Sequence, residues 1–451
     1  MLIEWGAASN ILPKALLQAS SAVQARAECS PPFMNKVYDL ATTPLIVSEQ
    51  GQLSVRRDAE AYVALLETIG TAYQRRPEVR RYYGLRGACE RLACADSGLQ
   101  RHTRICRLDG YVRADDGRLV FLENNADAPA GTLFTPRLEA FLSDLWGSEL
   151  ETQGLTPSHP TSNAFLTQLL NAYAAWGGKL ERPRLVVLQP RGNANLESSE
   201  LIRVLQTEGF DAGVADPREL DLSGAQVKAD GRNVDLIWNK VNTADWERAF
   251  ADDDSLAAWQ RAIADRRVCH LNGFLARYVL ESKLSLALVH EPEFSDCFSA
   301  AELELARRVL PWATKLEPGK RVEFWDRRLS IENLLEEFQA QLVIKVPYDI
   351  RGDGVTIGRA VDRTTWRSAA SAAFRGGGIA QEFIEPARYP VVFASQERQV
   401  RVLKFSLDSF VFGGKVVGFG SKASAADKVN VFQGGSKLGV MLHAARKPSS
   451  R

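Results

Sequence analysis

Residues 101–132 read RHTRICRLDGYVRADDGRLVFLENNADAPAGT. Two alternating runs, 102–113 and 118–125, flank Asp115-Asp116-Gly117, a turn signal, so the stretch is predicted to be a β-hairpin. Loop length sets which side chains meet. With Asp116-Gly117 alone as the turn, Asp109 faces Asn124 and the two acids fall on opposite faces. With a three-residue loop, Asp115-Asp116-Gly117, and the glycine left-handed, Asp109 sits opposite Glu123 and Arg107 opposite Asn125. This second register also gathers Cys106, Leu108, Val112, Val120 and Leu122 on the other face, which is then apolar as a buried sheet face should be. The three-residue loop is preferred for that reason.

The resulting patch holds Arg107, Asp109, Glu123 and Asn125. Two carboxylates and an amide oxygen are hard ligands, suited to Mg²⁺. Without a cation, two directly opposed carboxylates repel. An arginine beside a metal fits an anionic substrate such as a phosphate. Spacing alone also allows a solvated polar face with an Arg/Asp ion pair.

The chain has 451 residues, enough for two to four domains or lobes. It is 45% hydrophobic and 25% charged, an ordinary globular balance. Its 56 basic and 55 acidic residues leave a net charge of +1, so no global field favours nucleic acid or a membrane surface. No apolar run reaches the roughly 18–20 residues that span a bilayer. The start, MLIEWGAASNILPKALLQAS, carries Glu4 and no basic head before an apolar block, unlike a signal peptide. Cys29, Cys89, Cys94, Cys106, Cys269 and Cys297 form no disulfide framework, which fits a cytoplasmic location. Cys89, Cys94 and His102 could conceivably hold a metal, but buried free thiols are the expectation.

Residues 1–100 read mostly helical. Ile11, Leu12, Ala15, Leu16, Ala19 and Val23 form a helical stripe over 11–26, broken by Ser30-Pro31-Pro32. A second helix is expected over 58–75, with Tyr62, Leu65, Leu66, Ile69 and Tyr73 on one side. After the hairpin a helix is expected over 136–145, and the polar stretch 147–162 is taken as the first boundary. Strand and helix then alternate: strands at 185–188, 210–215 and 234–238, and a helix capped by Asn195 that ends before Gly209 with Leu201, Ile202, Val204 and Leu205 inward. This is a small open α/β unit. The loop 189–195 has one glycine and no dinucleotide fingerprint.

From about Val268 the pattern changes. A helix is expected over 277–290 carrying Lys283, and a strand over 341–346 carrying Lys345. The loop 347–354, PYDIRGDG, supplies Gly352 and Gly354 before a return strand over 355–360. A helix over 363–374, the triplet Gly376-Gly377-Gly378 and a strand over 379–384 follow. The runs 399–412 and 416–423 form a further hairpin about Gly413-Gly414, and the tail 443–451 is polar. A lysine strand, glycine loop and return strand can fold over a polyphosphate. Gln381-Glu382-Phe383-Ile384 can present backbone groups to an adenine edge.

Taken in order, Asp109 with Glu123-Asn124-Asn125, Lys283, Lys345 with its glycine loop, Gln381 to Ile384, and Asn430 with Gly434-Gly435 resemble the circularly permuted ATP-grasp superfamily, which includes glutathionylspermidine synthase. The resemblance covers about residues 80–440. It implies an α/β fold of α+β lobes, a circularly permuted ATP-grasp with a small Rossmann-like lobe. The implied division is 1–162, helical region and metal-binding hairpin; 163–267, substrate-side lobe; and 268–451, ATP-binding lobe. It implies ATP and Mg²⁺, with Asp109, Glu123 and Asn125 as metal ligands. Arg107 would hold the acyl substrate's carboxylate and the transferring phosphoryl group. Lys283 and Lys345 would bind phosphates and the adenine region, Gly352 and Gly354 the phosphates, Glu382 and the backbone near Ile384 the adenine, and Glu385 the ribose. Where many relatives carry a late arginine, this chain has Gly420-Ser421-Lys422, so the second clamp is Lys422 or absent. Where relatives often have paired arginines it has Asn239-Lys240.

The implied activity is an ADP-forming carboxylate–amine ligase acting through an acyl phosphate. Its partners would be a small carboxylate, such as an amino acid or short peptide, and an amine. Two alternatives are a small-molecule kinase on the same scaffold and a nucleotide-binding protein without chemistry. Neither the acid, the amine nor the oligomeric state follows from the residues.

Overall fold

Ile105–Val112 and Leu119–Asn125 pair antiparallel at one edge of a seven-stranded sheet in the computed structural model of the chain. Residues 2–18, 40–159, 163–192, 195–250, 253–348, 352–394 and 399–443 are described. Cys29, the break at Ser30-Pro31-Pro32, the middle of the glycine loop (349–351) and the tail 444–451 lie outside them.

The register at the acidic end of the hairpin is the expected one: Arg107 opposite Asn125, Asp109 opposite Glu123. Nearer the turn it differs. Tyr111 pairs with Val120 and Val112 with Leu119, and the Arg113 N–H donates to Arg118 O at 2.8 Å. The loop is therefore four residues, Ala114 to Gly117, with Gly117 left-handed at φ +71°. A bulge between Asp109 and Gly110 restores the register beyond Leu122. The bulge moves two side chains. Phe121 takes the core position, while Leu122, expected in the apolar face, is only partly buried and faces the functional cleft.

Inward from the hairpin the sheet continues through Asp408–Phe412, Lys415–Ser424, Arg401–Phe405 and Arg388–Val391, with Ser436–Leu438 also paired to Lys415–Ser424. The late hairpin about Gly413-Gly414 is as expected, both glycines having positive φ. Behind the sheet lies the helix Glu49–Arg75. It starts nine residues earlier than the apolar stripe suggests, because Ser48 caps it and accepts from the Gly51 N–H at 3.0 Å. Its Tyr62 stacks on Phe121 at 5.5 Å between ring centroids and donates to Asn124 Oδ1 at 2.9 Å. Each such fully buried large side chain contributes about 1.5–3 kcal/mol, so this helix braces the hairpin from its apolar side.

A second antiparallel sheet has the order Ala313–Lys315, Ile379–Glu382, Leu342–Lys345, Val355–Ile357. The return strand ends at Ile357 in a 3₁₀ turn, Gly358–Ala360. The helix Arg363–Gly376 ends where Gly377 is left-handed (φ +67°), and Gly378 passes close under Lys345 O, where a Cβ would stand 2.7 Å away. Trp366, Ala370 and Ala373 bury its inner face.

The small α/β unit is a four-stranded parallel sheet ordered Cys269–Leu271, Leu236–Asn239, Leu185–Leu188, Ala212–Ala215. Asn195 caps Leu196–Thr207 by accepting from the Glu197 and Ser198 N–H groups. Three local expectations fail. The stretch 147–152 is no linker: the helix Phe134–Thr152 runs through it, bent at Gly147, and Leu155–Pro157 joins a small sheet with Leu45–Val47 and Val440–His443. Residues 277–290 are not one helix. A π-helical turn, Ala276–Leu280, and a short helix, Leu284–Leu288, leave Lys283 at the break. Val204 is only partly buried.

The described cysteines are free, and among the described residues no helix is long and apolar enough to cross a membrane.

Candidate active site

Alternation along Ile105–Val112 sends Arg107, Asp109 and Tyr111 to one face, opposite the core face of Cys106 and Leu108. That face looks across at the lysine-bearing sheet. Between them lies a cleft of about 100 Å³. Asp109, Tyr111, Leu122 and Glu123 line it from the hairpin; Lys345, Val355 and Gln381 line it from the other sheet. Glu382, Phe383 and Ile384 form one end, and Gly352, Asn430 and Lys422 complete the wall.

Asp109 is the most heavily bonded group. Arg107 donates to it through Nε (2.6 Å) and Nη2 (3.1 Å), Asn125 Nδ2 donates at 3.0 Å, and Lys422 Nζ donates as well. Burial pushes its carboxyl up, but the charges of Arg107 and Lys422 outweigh burial and hold it well below the usual carboxylate range. Arg107 Nη2 also donates to Asn125 Oδ1 at 3.2 Å, and Nη1 to Ala130 O at 2.7 Å. Lys422 lies 3.0 Å from Asp408 Oδ2. Burial and the charge of Asp109 push the Asp408 carboxyl up.

Glu123 Oε1 accepts from Lys283 Nζ at 2.7 Å. Lys345 Nζ reaches across to Leu122 O at 2.7 Å, so a lysine of one sheet touches the backbone of the other beside the acids. The Gln381 Nε2 group is buried without a hydrogen-bond partner. Lys428 Nζ donates to Gly352 O (2.6 Å) and Val355 O (3.0 Å), tying the described end of the glycine loop to the far wall.

Several expected residues stand elsewhere. Arg107, Asn125 and Lys283 sit behind the lining acids rather than in the lining, and Gly354 is outside it. Glu385 lies in an ion-pair group with Arg359 (2.6 Å) and Lys404 (3.0 Å). Asn430, in the cleft wall, also caps a 3₁₀ turn by accepting from the Phe432 N–H. Asp408, Lys428 and Lys437 were not read from the sequence. Asp408 is the one acid in the apolar run 405–412, which was a usable signal. Lys428 and Lys437 sit in ordinary polar surroundings and gave none.

Among the described residues no three of His, Cys, Asp and Glu group tightly enough to hold a metal ion. The hairpin offers two acids and an amide, and both Asp109 oxygens already accept hydrogen bonds. Mg²⁺ in phosphate sites takes one or two carboxylates plus phosphate oxygens rather than an all-protein cage. The donor set fits an ion that arrives with a polyphosphate and completes its shell with phosphate oxygens.

No family model and no curated protein matches the sequence. Solved structures do match in shape. A glutathione synthetase-like effector from Globodera pallida, in apo form, superposes with a TM-score of 0.61 over 96% of this chain and 97% of that one, at 14% identity. A putative γ-glutamylcysteine synthetase from Methylobacillus flagellatus gives 0.43 at 11% identity, over 83% and 87%. A RimK-domain ATP-grasp protein from Sphaerobacter thermophilus gives 0.30 at 16% identity, over 54% and 91%. The last two overlap too loosely to carry an argument, and such identities speak to shape rather than activity. With the acid-bearing hairpin facing the lysine-bearing sheet across one cleft, this chain shares the fold of the glutathione synthetase-like effector.

Proposed function

We propose that the protein is an ATP-dependent, ADP-forming ligase that joins a small carboxylic acid to an amine. The observation that carries this reading is the meeting of Asp109 and Glu123 from one sheet with Lys345 and Gln381 from the other, around one cleft. A polyphosphate needs cations and metal-binding acids at one end, and a purine needs apolar walls with a few polar groups at the other. Leu122, Val343 and Ile357 give the apolar walls, and the unpartnered Gln381 amide waits among them.

A carboxylate is a poor acylating agent because its oxygen leaves badly. In the proposed reaction an acid oxygen attacks the γ-phosphorus of ATP and the bond to the bridging oxygen breaks, releasing ADP and leaving an acyl phosphate. The amine then attacks the acyl carbon, phosphate leaves with the bonding pair, and the nitrogen loses a proton. Mg²⁺ held by Asp109, Glu123 and Asn125 would neutralise phosphate charge. The chain's own work is placement. Lys345 and Lys283 offer compact positive charge on either side of Glu123. Lys422, between Asp109 and Asp408, would serve as the second phosphate clamp. Arg107, held on three sides, presents a fixed cation beside the acids. Water that would hydrolyse the intermediate has to be kept out of the cleft.

The test is phosphate release with MgATP and pooled amino acids, short peptides and polyamines, followed by mass spectrometry of the product. Hydroxylamine added to the acid arm should yield a hydroxamate. A phosphate ester instead would establish a kinase, and nucleotide binding without turnover on any pool would establish a non-catalytic role.

A further inference from the structure

Next to the acids, on the side away from the cleft lining, stands a lysine with no work in the scheme above. Lys437 lies directly across from Lys422 on the neighbouring strand, so the two ammonium groups share a face. Lys422 is bonded to Asp109 and Asp408; the Lys437 side chain, in a residue 9% exposed, makes no hydrogen bond or ion pair among the described residues. A buried ammonium without a partner is costly.

Its surroundings are shaped for something small. A Cβ on Gly131, which has φ +87°, would stand 3.0 Å from Lys437 Nζ and 3.2 Å from Thr135 Oγ1. With no side chain on Gly131 both polar groups close in on its bare backbone, and Thr135 Oγ1 is itself buried and unpartnered. Arg107 forms the adjoining wall through its bond to Ala130 O. Lys240 braces the same loop, donating to Ala128 O (3.1 Å) and Pro129 O (3.3 Å), and lies 3.5 Å from Glu197. The other cations nearby are thus engaged; Lys437 is available.

We propose that Lys437 and Thr135, which converge at Gly131 beside Arg107, form an oxyanion seat that receives the carboxylate to be activated. The identity of the anion rests on the ligase reading; the seat itself does not. Burial and the charges of Arg107 and Lys422 lower the Lys437 ammonium to about 8, so an arriving anion would restore full protonation. Arg107 links the Gly131 loop to Asp109, bonding Ala130 O and the Asp109 carboxylate, so an acid held at the seat lies beside the acids proposed to carry the metal.

Two measurements on the full chain test this. First, acetic anhydride labelling of Lys437 near neutral pH is followed by mass spectrometry, with exposed Lys415 as internal control. Acetate, added with the non-hydrolysable MgAMP-PNP, should slow labelling about tenfold at ten times its dissociation constant. MgAMP-PNP alone should not. Protection by inorganic phosphate but not acetate would give the seat to the transferred phosphoryl group and overturn the carboxylate assignment. Protection by MgAMP-PNP alone would place Lys437 in the nucleotide cleft, and no protection by any anion would abolish the seat.

Second, Lys437→Met should raise KM for whichever acid drives ADP release by about tenfold to a hundredfold, the value of one charge-assisted hydrogen bond, with AMP-PNP affinity unchanged; Lys437→Arg should recover part of it. An unchanged KM, or an equal loss of AMP-PNP affinity, would refute the assignment. If no acid drives turnover in the wild type while acetate still protects Lys437, the ligase reading fails and the seat stands.

Discussion

Lys422→Met removes the one cation shared by two buried acids. Lys422 Nζ lies 3.0 Å from Asp408 Oδ2, and the side chains are 9% and 4% exposed. At that separation, with an effective dielectric of about 20, the attraction is about 5–6 kcal/mol. Desolvation offsets part of it, and breaking a buried pair from one side costs about 3–5 kcal/mol in practice. Asp109 keeps Arg107, so the loss falls on Asp408, whose Oδ1 already lacks a partner. We expect denaturant unfolding near pH 7.5 to show about 3 kcal/mol less stability than the wild type. The pH dependence has a definite sign. Burial and Asp109 raise the folded-state pKa of Asp408 above its unfolded value, and more so without Lys422. The folded variant therefore takes up a proton before the unfolded chain does, and its deficit shrinks as pH falls from neutrality through that raised pKa. Adding Asp408→Asn should recover most of the loss near neutrality, because no charge is then stranded. A deficit below about 1 kcal/mol, or one indifferent to both pH and Asp408→Asn, would show that the pair is solvated and that Lys422 is not fixed where the reaction needs it.

Glu123→Ala should abolish acid-dependent ADP release while circular dichroism stays that of the wild type; normal turnover would remove Glu123 from the metal site. Gln381→Leu should weaken AMP-PNP binding by about tenfold with little change in stability, since the lost amide group has no internal partner to strand; unchanged binding would make Gln381 a core residue only. Gly131→Ala combines positive φ with a Cβ crowding Lys437 and Thr135, and should cost about 1–3 kcal/mol in denaturant unfolding; a neutral outcome would mean that the backbone at Gly131 shifts freely. His270 is buried and held neutral, its pKa lowered to about 3 by burial and by Arg277. Stability should fall by about 1.4 kcal/mol per pH unit below pH ~6.5, and His270→Gln should flatten that slope.

The hairpin was legible where chemistry constrains it and illegible where backbone geometry alone decides. Opposed acids with an apolar reverse face admit one register at Asp109 and Glu123. The turn offers no such constraint, so a four-residue loop plus a bulge satisfies the same acidic end while exchanging Leu122 for Phe121. Long stripes such as Tyr62 to Tyr73 were readable, whereas the first turns of that helix depend on Ser48 and carry no stripe. Lys345 and Gln381 stood on strands rich in β-branched and apolar residues and were found there. Lys437 was missed because its strand is three residues long and its meaning depends on Gly131, some three hundred positions earlier.

That separation has a bearing on biosynthesis. Asp408–Phe412 hydrogen-bonds directly to Ile105–Val112, so the sheet that carries the acids is closed only by strands from the last quarter of the chain. Ribosomes add residues at roughly 5–20 per second, so the first acids would emerge many seconds before the strand that flanks them. A nascent chain ending before Asp408 would pair Asp109 with Arg107 but lack Lys422 and one wall of the cleft, so the site is complete only when translation is nearly finished.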